Sequence, residues 1–337
     1  VPGAGGKAKV GPSGNKKTAP LRHMPVQRGA HGSNQSYIAL AMVRFGVAGW
    51  DYRDWWGVVY PATRPRGFDP LAYLARYFDT IEINSTFYRP ADPETASRWA
   101  KRVSHNGNFK FTVKLWQRFT HQRDTAWSVQ ELDLVRQPLR PLAEAGRLGC
   151  VLAQFPWSFK RTAESREWLE DLVNALGDYP LAIEVRHSSW NVPEFYASLR
   201  ERGVGVVNID QPVFKHSMQP GARVTADIGY IRLHGRNYEH WFSENAEPHE
   251  RYDYLYRAEE LKPWIERIHE VAERARETYV IANNHYRGQA AVNAAMLRKL
   301  YGSGEVEVPP ELEATYRSVL APLGIGASAR ESPRLPL

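Results

Sequence analysis

Eight short apolar runs recur between residues 44 and 284, and nearly every one leaves through a polar or aromatic residue into an amphipathic stretch. They cover residues 44–50, 80–89, 109–115, 149–156, 181–187, 204–210, 229–236 and 279–284. The run at 109–115 alternates strictly, with Phe109, Phe111, Val113 and Leu115 on one face and Lys110, Thr112 and Lys114 on the other, as a strand requires. Helix signals lie between the runs. Asp69-Pro70 and Asp92-Pro93 each read as an N-cap with proline at the first helical position. The stripes Leu71, Leu74, Tyr77, Phe78 and Ala96, Trp99, Ala100, Val103 follow them at helical spacing. Further helices are expected near 165–176, 192–202 and 289–300, and around Leu261, Trp264, Ile265, Ile268 and Val271. Pro138 and Pro141 predict an interrupted helix, and residues 211–227 show no helical period.

Strand and helix alternating eight times over about 250 residues predicts an α/β protein with a TIM-like (β/α)8 barrel. An open doubly wound sheet would show a glycine-rich phosphate turn after an early strand. Here Gly46-Val47-Ala48-Gly49 runs into an aromatic loop instead. The expected layout is one barrel domain over 42–303, a disordered extension over 1–41 and a loosely packed tail over 304–337. The extension holds Lys7, Lys9, Lys16, Lys17, Arg22 and Arg28, and no acidic residue precedes Asp51. It reads either as a basic nucleic-acid arm or as a tag or over-extended start.

Composition narrows the function classes. The 337 residues carry a net charge of +7 and a single cysteine, so no internal disulfide or cysteine-based metal cluster can form. Cys150 opens an apolar run and reads as a buried inert thiol. No stretch of about 20 apolar residues is present, so no membrane partner is expected, and a cytoplasmic location is.

Barrel sites gather at the C-terminal ends of the strands. Those ends bring Trp50, Glu82 with Asn84, Lys114, Glu184 with Arg186 and His187, Arg232 with His234 and Arg236, and Asn283 with Asn284. Tyr52, Tyr88 and Trp190 supply aromatic surface in the adjoining loops. A carboxylate and an amide on one face of a buried strand, such as Glu82 and Asn84, are costly unless paired. Glu82 with Lys114, and Glu184 or Arg186 with Arg232, are the pairs the pattern suggests.

Several chemistries fit this set. Cations such as Lys114, Arg186 and Arg236 suit a phosphate- or carboxylate-bearing metabolite or nucleic-acid fragment, with Glu82, Glu184 or His234 as acid or base of a hydrolase. Alternatively, Glu82 and Glu184 form a glycosidase pair, with rings stacking a sugar. A third reading is a non-catalytic binder of single-stranded nucleic acid or another ligand. Glu82, Glu184 and His234, with Asp210 as a further candidate, could also ligate a divalent metal, but no compact metal motif supports it, and no cofactor is expected. Protein partners are unassigned.

Several long motifs also occur in an order that resembles the DUF72 (YecE-like) family. The opening runs from Gly46 through Trp50, Tyr52 and Trp55 to Gly57, with Tyr60-Pro61 after it. Phe78-Asp79-Thr80 leads into Glu82-Ile83-Asn84-Ser85-Thr86-Phe87-Tyr88, and Thr120-His121 follows the third run. Then come Gln154-Phe155-Pro156, the stretch from Glu184 to Trp190, the stretch from Tyr230 to Arg236, and Asn283-Asn284 with Gly288. The resemblance spans about 45–301 and implies a TIM-barrel-like fold without an activity. Two features depart from the pattern. Ala48 stands where serine is common, and His285-Tyr286 follow the asparagine pair where an acidic residue is often near.

Overall fold

The eight runs form parallel strands that close on themselves: β1 (Met42–Ala48), β2 (Thr80–Ile83), β3 (Lys110–Lys114), β4 (Leu148–Gln154), β5 (Leu181–Glu184), β6 (Gly205–Asp210), β7 (Ile228–Leu233) and β8 (Glu277–Ala282). Each pairs with its sequence neighbours, and β8 returns to β1. The computed structural model describes residues 42–239, Trp241 and residues 250–326; the extension expected over 1–41 lies outside them.

Helices fill the outer layer. They are α1 (Pro70–Leu74), α2 (Ser85–Tyr88), α3 (Pro93–Arg102), α4 (Val129–Glu144), α5 (Ala163–Leu176), α6 (Pro193–Glu201), α7 (Ala258–Ala272), α8 (Gln289–Leu300), α9 (Pro310–Thr315) and α10 (Arg317–Leu320). At the starts of α1, α3, α4 and α5, side chains satisfy otherwise orphaned backbone N–H groups. Asp69 accepts from Leu71 and Ala72, and Asp92 accepts from Thr95. Ser128 and Glu131 bond reciprocally as a capping box at the start of α4. Residues 211–227 contain no helix, as their lack of period suggested.

The apolar stripes pack onto the outer face of the sheet. Ile81 and Ile83 of β2 are fully buried there, as are Leu261, Trp264, Ile268 and Val271 of α7. Burying each such side chain contributes about 1.5–3 kcal/mol before the entropy of ordering it. Trp264 also donates its indole N–H to Asp210 at 3.0 Å, tying α7 to the exit of β6.

Two expectations fail. α4 runs through both Pro138 and Pro141. Its buried face, Val135, Pro138, Leu139 and Leu142, outweighs the two missing backbone bonds. The tail is not loose over its described part: Val306, Val308, Leu312, Leu320 and Ile325 are all buried. Tyr316 donates to the carbonyl of Arg287 at 2.7 Å, fixing this segment to the turn after β8.

Candidate functional site

The barrel interior is closed by an ion layer centred on Arg232. From β7, its guanidinium donates to Glu82 of β2 at 2.6 Å and to Glu184 of β5 at 2.5 Å. All three side chains are at most 1% exposed. The second oxygen of Glu82 accepts from the Tyr230 hydroxyl at 2.8 Å, and Tyr230 lies 2.8 Å from Thr112 as well. The second oxygen of Glu184 meets Arg186 at 3.0 Å and His234 Nε2 at 3.2 Å. Burial alone would raise the Glu184 pKa; Arg232, His234 and Arg186 together hold it well below the carboxylate range. His234 is pushed down to about 3 by burial and then by the neighbouring Arg186 charge, so its imidazole is neutral. Its Nε2–H then faces Glu184, while Nδ1 accepts from Asn283 at 3.0 Å.

A cavity of about 680 Å³ opens at the C-terminal mouth. Trp50, Tyr52, Asn84, Lys114, Asn283 and His285 line it, together with Asp51, Arg64, Arg102 and the 70% exposed Tyr88. The loop after β1 shapes one wall. Gly49 turns it with φ +79°, and a Cβ there would stand 2.4 Å from the Tyr52 hydroxyl. That hydroxyl instead reaches the Ala48 carbonyl at 2.6 Å, and the Tyr52 ring stacks on His285 at 4.5 Å. Asn84 sits against the Tyr52 hydroxyl, and its Oδ1 is buried without a hydrogen-bond partner.

Lys114 ends β3, where the Thr86 hydroxyl donates to its carbonyl at 2.7 Å. Its ammonium lies 4.2 Å from the centre of the Phe87 ring. Nζ has no hydrogen-bond or ion-pair partner among the described residues. Burial first, and the Arg232 charge second, bring its pKa down to about 7. His121, whose ring meets the edge of Phe87 at 4.9 Å, falls to about 4 through burial and then Lys114.

The sequence-derived set therefore divides. Trp50, Tyr52, Asn84, Tyr88, Lys114 and Asn283 come together around one cavity. Glu82, Glu184, His234, Arg186 and Arg232 lie outside the cavity lining, in the ion layer. The pairing of Glu82 with Lys114 is not formed; Arg232 takes both glutamates. One guanidinium thus bridges the two carboxylates, which removes the open space a glycosidase pair needs. The same cation opposes a metal held by Glu82, Glu184 and His234. Among the described residues, no cluster of three or more His, Cys, Asp or Glu is placed to hold a metal ion.

The remaining residues serve the scaffold. Trp190 is buried and donates to the Phe159 carbonyl at 2.7 Å. His187 caps the turn at Ser189. Arg236 pairs with Asp210 at 2.9 Å, and Asn284 donates to Tyr254 and Asn293. Asp51, Arg64, Arg102 and His285 were missed as lining residues. Only His285 carried a signal, its position directly after the asparagine pair. Arg102 is the half-buried last residue of α3, where periodicity says nothing about ligands.

Fold and cavity together define a parallel (β/α)8 barrel with a polar, aromatic-walled pocket at the C-terminal mouth. The chain belongs to the family described as "Protein of unknown function DUF72", which matches residues 44–315. UPF0759 protein YunF of Bacillus subtilis (strain 168) is 28% identical over 272 residues, covering 77% of this chain and 94% of YunF. A crystal structure of a DUF72 family protein from Thermotoga maritima is 38% identical with a TM-score of 0.67, covering 77% of this chain and 98% of that one. A second, from Enterococcus faecalis, is 25% identical with a TM-score of 0.67 and covers 77% and 95%. No described helix is long and apolar enough to cross a membrane.

Proposed function

We propose that the mouth of the barrel binds a small metabolite, or a nucleic-acid fragment, that carries a phosphate or carboxylate. The observation behind this is the unpaired amino group of Lys114 in a cavity whose lining also holds Arg64 and Asp51, while the lining Arg102 is already ion-paired with Asp69. Lys114 is half-buried and its amine has no counter-ion, and an incoming anion supplies what is missing. Asn84 Oδ1, buried and unpartnered, suits a hydroxyl or N–H donor on the same ligand. The volume, about 680 Å³, falls within the usual range for small-molecule sites. A hydrolase reading shifts from the glutamates to Asp51, the one carboxylate in the lining.

Sulfate is a suitable probe because it does not titrate near neutrality. Lys114 is charged below about pH 7, with Arg232, Arg186, Glu82, Glu184 and His121 around it. Sulfate should therefore bind more tightly at pH 6 than at pH 8, and Lys114→Met should lose both the affinity and its pH dependence. Calorimetric titration at the two pH values measures this. Absence of sulfate and phosphate-ester binding at both would overturn the reading. Mononucleotides and short oligonucleotides in the same titration separate a metabolite from a nucleic-acid fragment.

A further inference from the structure

We propose that Lys114 is a nucleophile that forms an imine with an aldehyde or ketone whose anionic group is held in the same cavity. This rests on the anion-binding reading above and adds the reacting group. The argument starts from what Lys114 lacks. Two glutamates lie in the layer whose charges act on it, yet Arg232 engages both. Arg186 takes the remaining oxygen contact on Glu184. Lys114 is half-buried at the end of its strand, and neither glutamate is left to pair with it. This amine instead faces a cavity and rests on Phe87, whose ring offers no hydrogen-bond acceptor of the carboxylate kind.

Desolvation beside two arginines favours the neutral amine, and a neutral amine with a free lone pair attacks carbonyl carbon. Lys114 leaves from the end of a strand, so its Cα is held by the sheet while the side chain reaches the cavity. The lone pair of Nζ forms the C–N bond, and the carbonyl π electrons move to oxygen, which takes a proton. The resulting carbinolamine loses that oxygen as water while nitrogen gives up its proton and the C=N bond forms. Amine and carbonyl become imine and water, with no change in oxidation state. Asp51 and His285 line the same cavity and can carry the proton between nitrogen and oxygen.

The test uses the full chain with dihydroxyacetone phosphate, and separately glyoxylate, in the presence of sodium cyanoborohydride, which reduces any imine to a stable secondary amine. Peptide mass spectrometry then compares Lys114 with the exposed Lys101, Lys160 and Lys262. Lys114 should be modified faster by on the order of tenfold or more, since an ordinary lysine is almost wholly protonated at neutral pH. Excess sulfate should slow labelling at Lys114 and leave the exposed lysines unchanged. Labelling of Lys114 no faster than of Lys101, with sulfate binding intact, would overturn the imine and leave the anion site standing. Failure of both labelling and sulfate binding would overturn both. The readout is on the unaltered protein, so it does not depend on how a variant folds.

Discussion

Arg232 and Lys114 are two cations near the same glutamates, and their opposite treatment organises the interior. Arg232 is 1% exposed and bonded to both carboxylates, so its burial is compensated. Removing it as Arg232→Met leaves two buried carboxylates without their cation. A loss of about 3–5 kcal/mol is expected, measured by denaturant unfolding. Adding Glu82→Gln and Glu184→Gln to that variant should recover much of the loss, because the penalty comes from the stranded charges. Lys114 shows the other treatment. Its folded pKa, about 7, lies below the ordinary 10.5, so the unfolded chain binds more protons between those values. Stability is therefore fully present above about pH 10.5 and falls as pH drops through this window to about 7. Lys114→Met removes that loss and should be more stable than the parent at neutral pH, with the gap growing from pH 10 to pH 7. Urea melts at several pH values check this, and a gap that ignores pH would mean the folded amine stays charged. Glu184 adds its own dependence at the acid end. Its folded pKa lies well below the ordinary 4.5, so its contribution is complete above that value and lost as pH falls further.

At the scale of elements, α4 shows how tertiary packing overrides local preference. Pro138 and Pro141 each remove an i to i−4 backbone bond, and an interior proline costs about 3 kcal/mol relative to alanine. The helix persists because the capping box at Ser128 fixes its start and its inner face packs against the barrel. Pro138 is itself buried on that face, beside Val113 and Leu115 of the third run. Pro141 is only half-buried, so its ring gives less back. Pro141→Ala should restore one backbone bond and raise stability by about 1–2 kcal/mol, after allowing for the looser unfolded chain. Pro138→Ala should gain less, because truncating a buried ring leaves a gap. A fall in stability for Pro141→Ala, read from urea midpoints, would show that the ring is needed for the packing of α4.

For the whole molecule, the barrel was legible because its rule is periodic and local. Each run of apolar residues, each Asp-Pro cap and each stripe such as Ala96, Trp99, Val103 is written within a dozen residues. The site was legible only in part. Strand ends named Trp50, Asn84, Lys114 and Asn283 correctly as neighbours, since all strand ends meet at one mouth. Which charge pairs with which depends on reach across the closed interior, where Arg232 meets Glu82 from 150 residues away. No local pattern states that Arg232 is long enough to take both glutamates and leave Lys114 alone. The tail illustrates the same limit. Its prolines suggested loose packing, yet Leu312 and Leu320 are fully buried and Tyr73 donates to Glu311 at 3.3 Å. The segment also braces the site. Tyr316 holds the carbonyl of Arg287, a residue kept at φ +49° beside the turn that carries His285. Deleting residues from 304 onward would uncover several large apolar side chains, each worth about 1.5–3 kcal/mol when buried. A truncated chain ending at Ser303 is therefore expected to melt many degrees lower and to bind sulfate more weakly, since the wall formed by His285 loses its support. Equal melting temperature and equal sulfate affinity for the truncated and full chains would show that the barrel and its mouth stand without this segment.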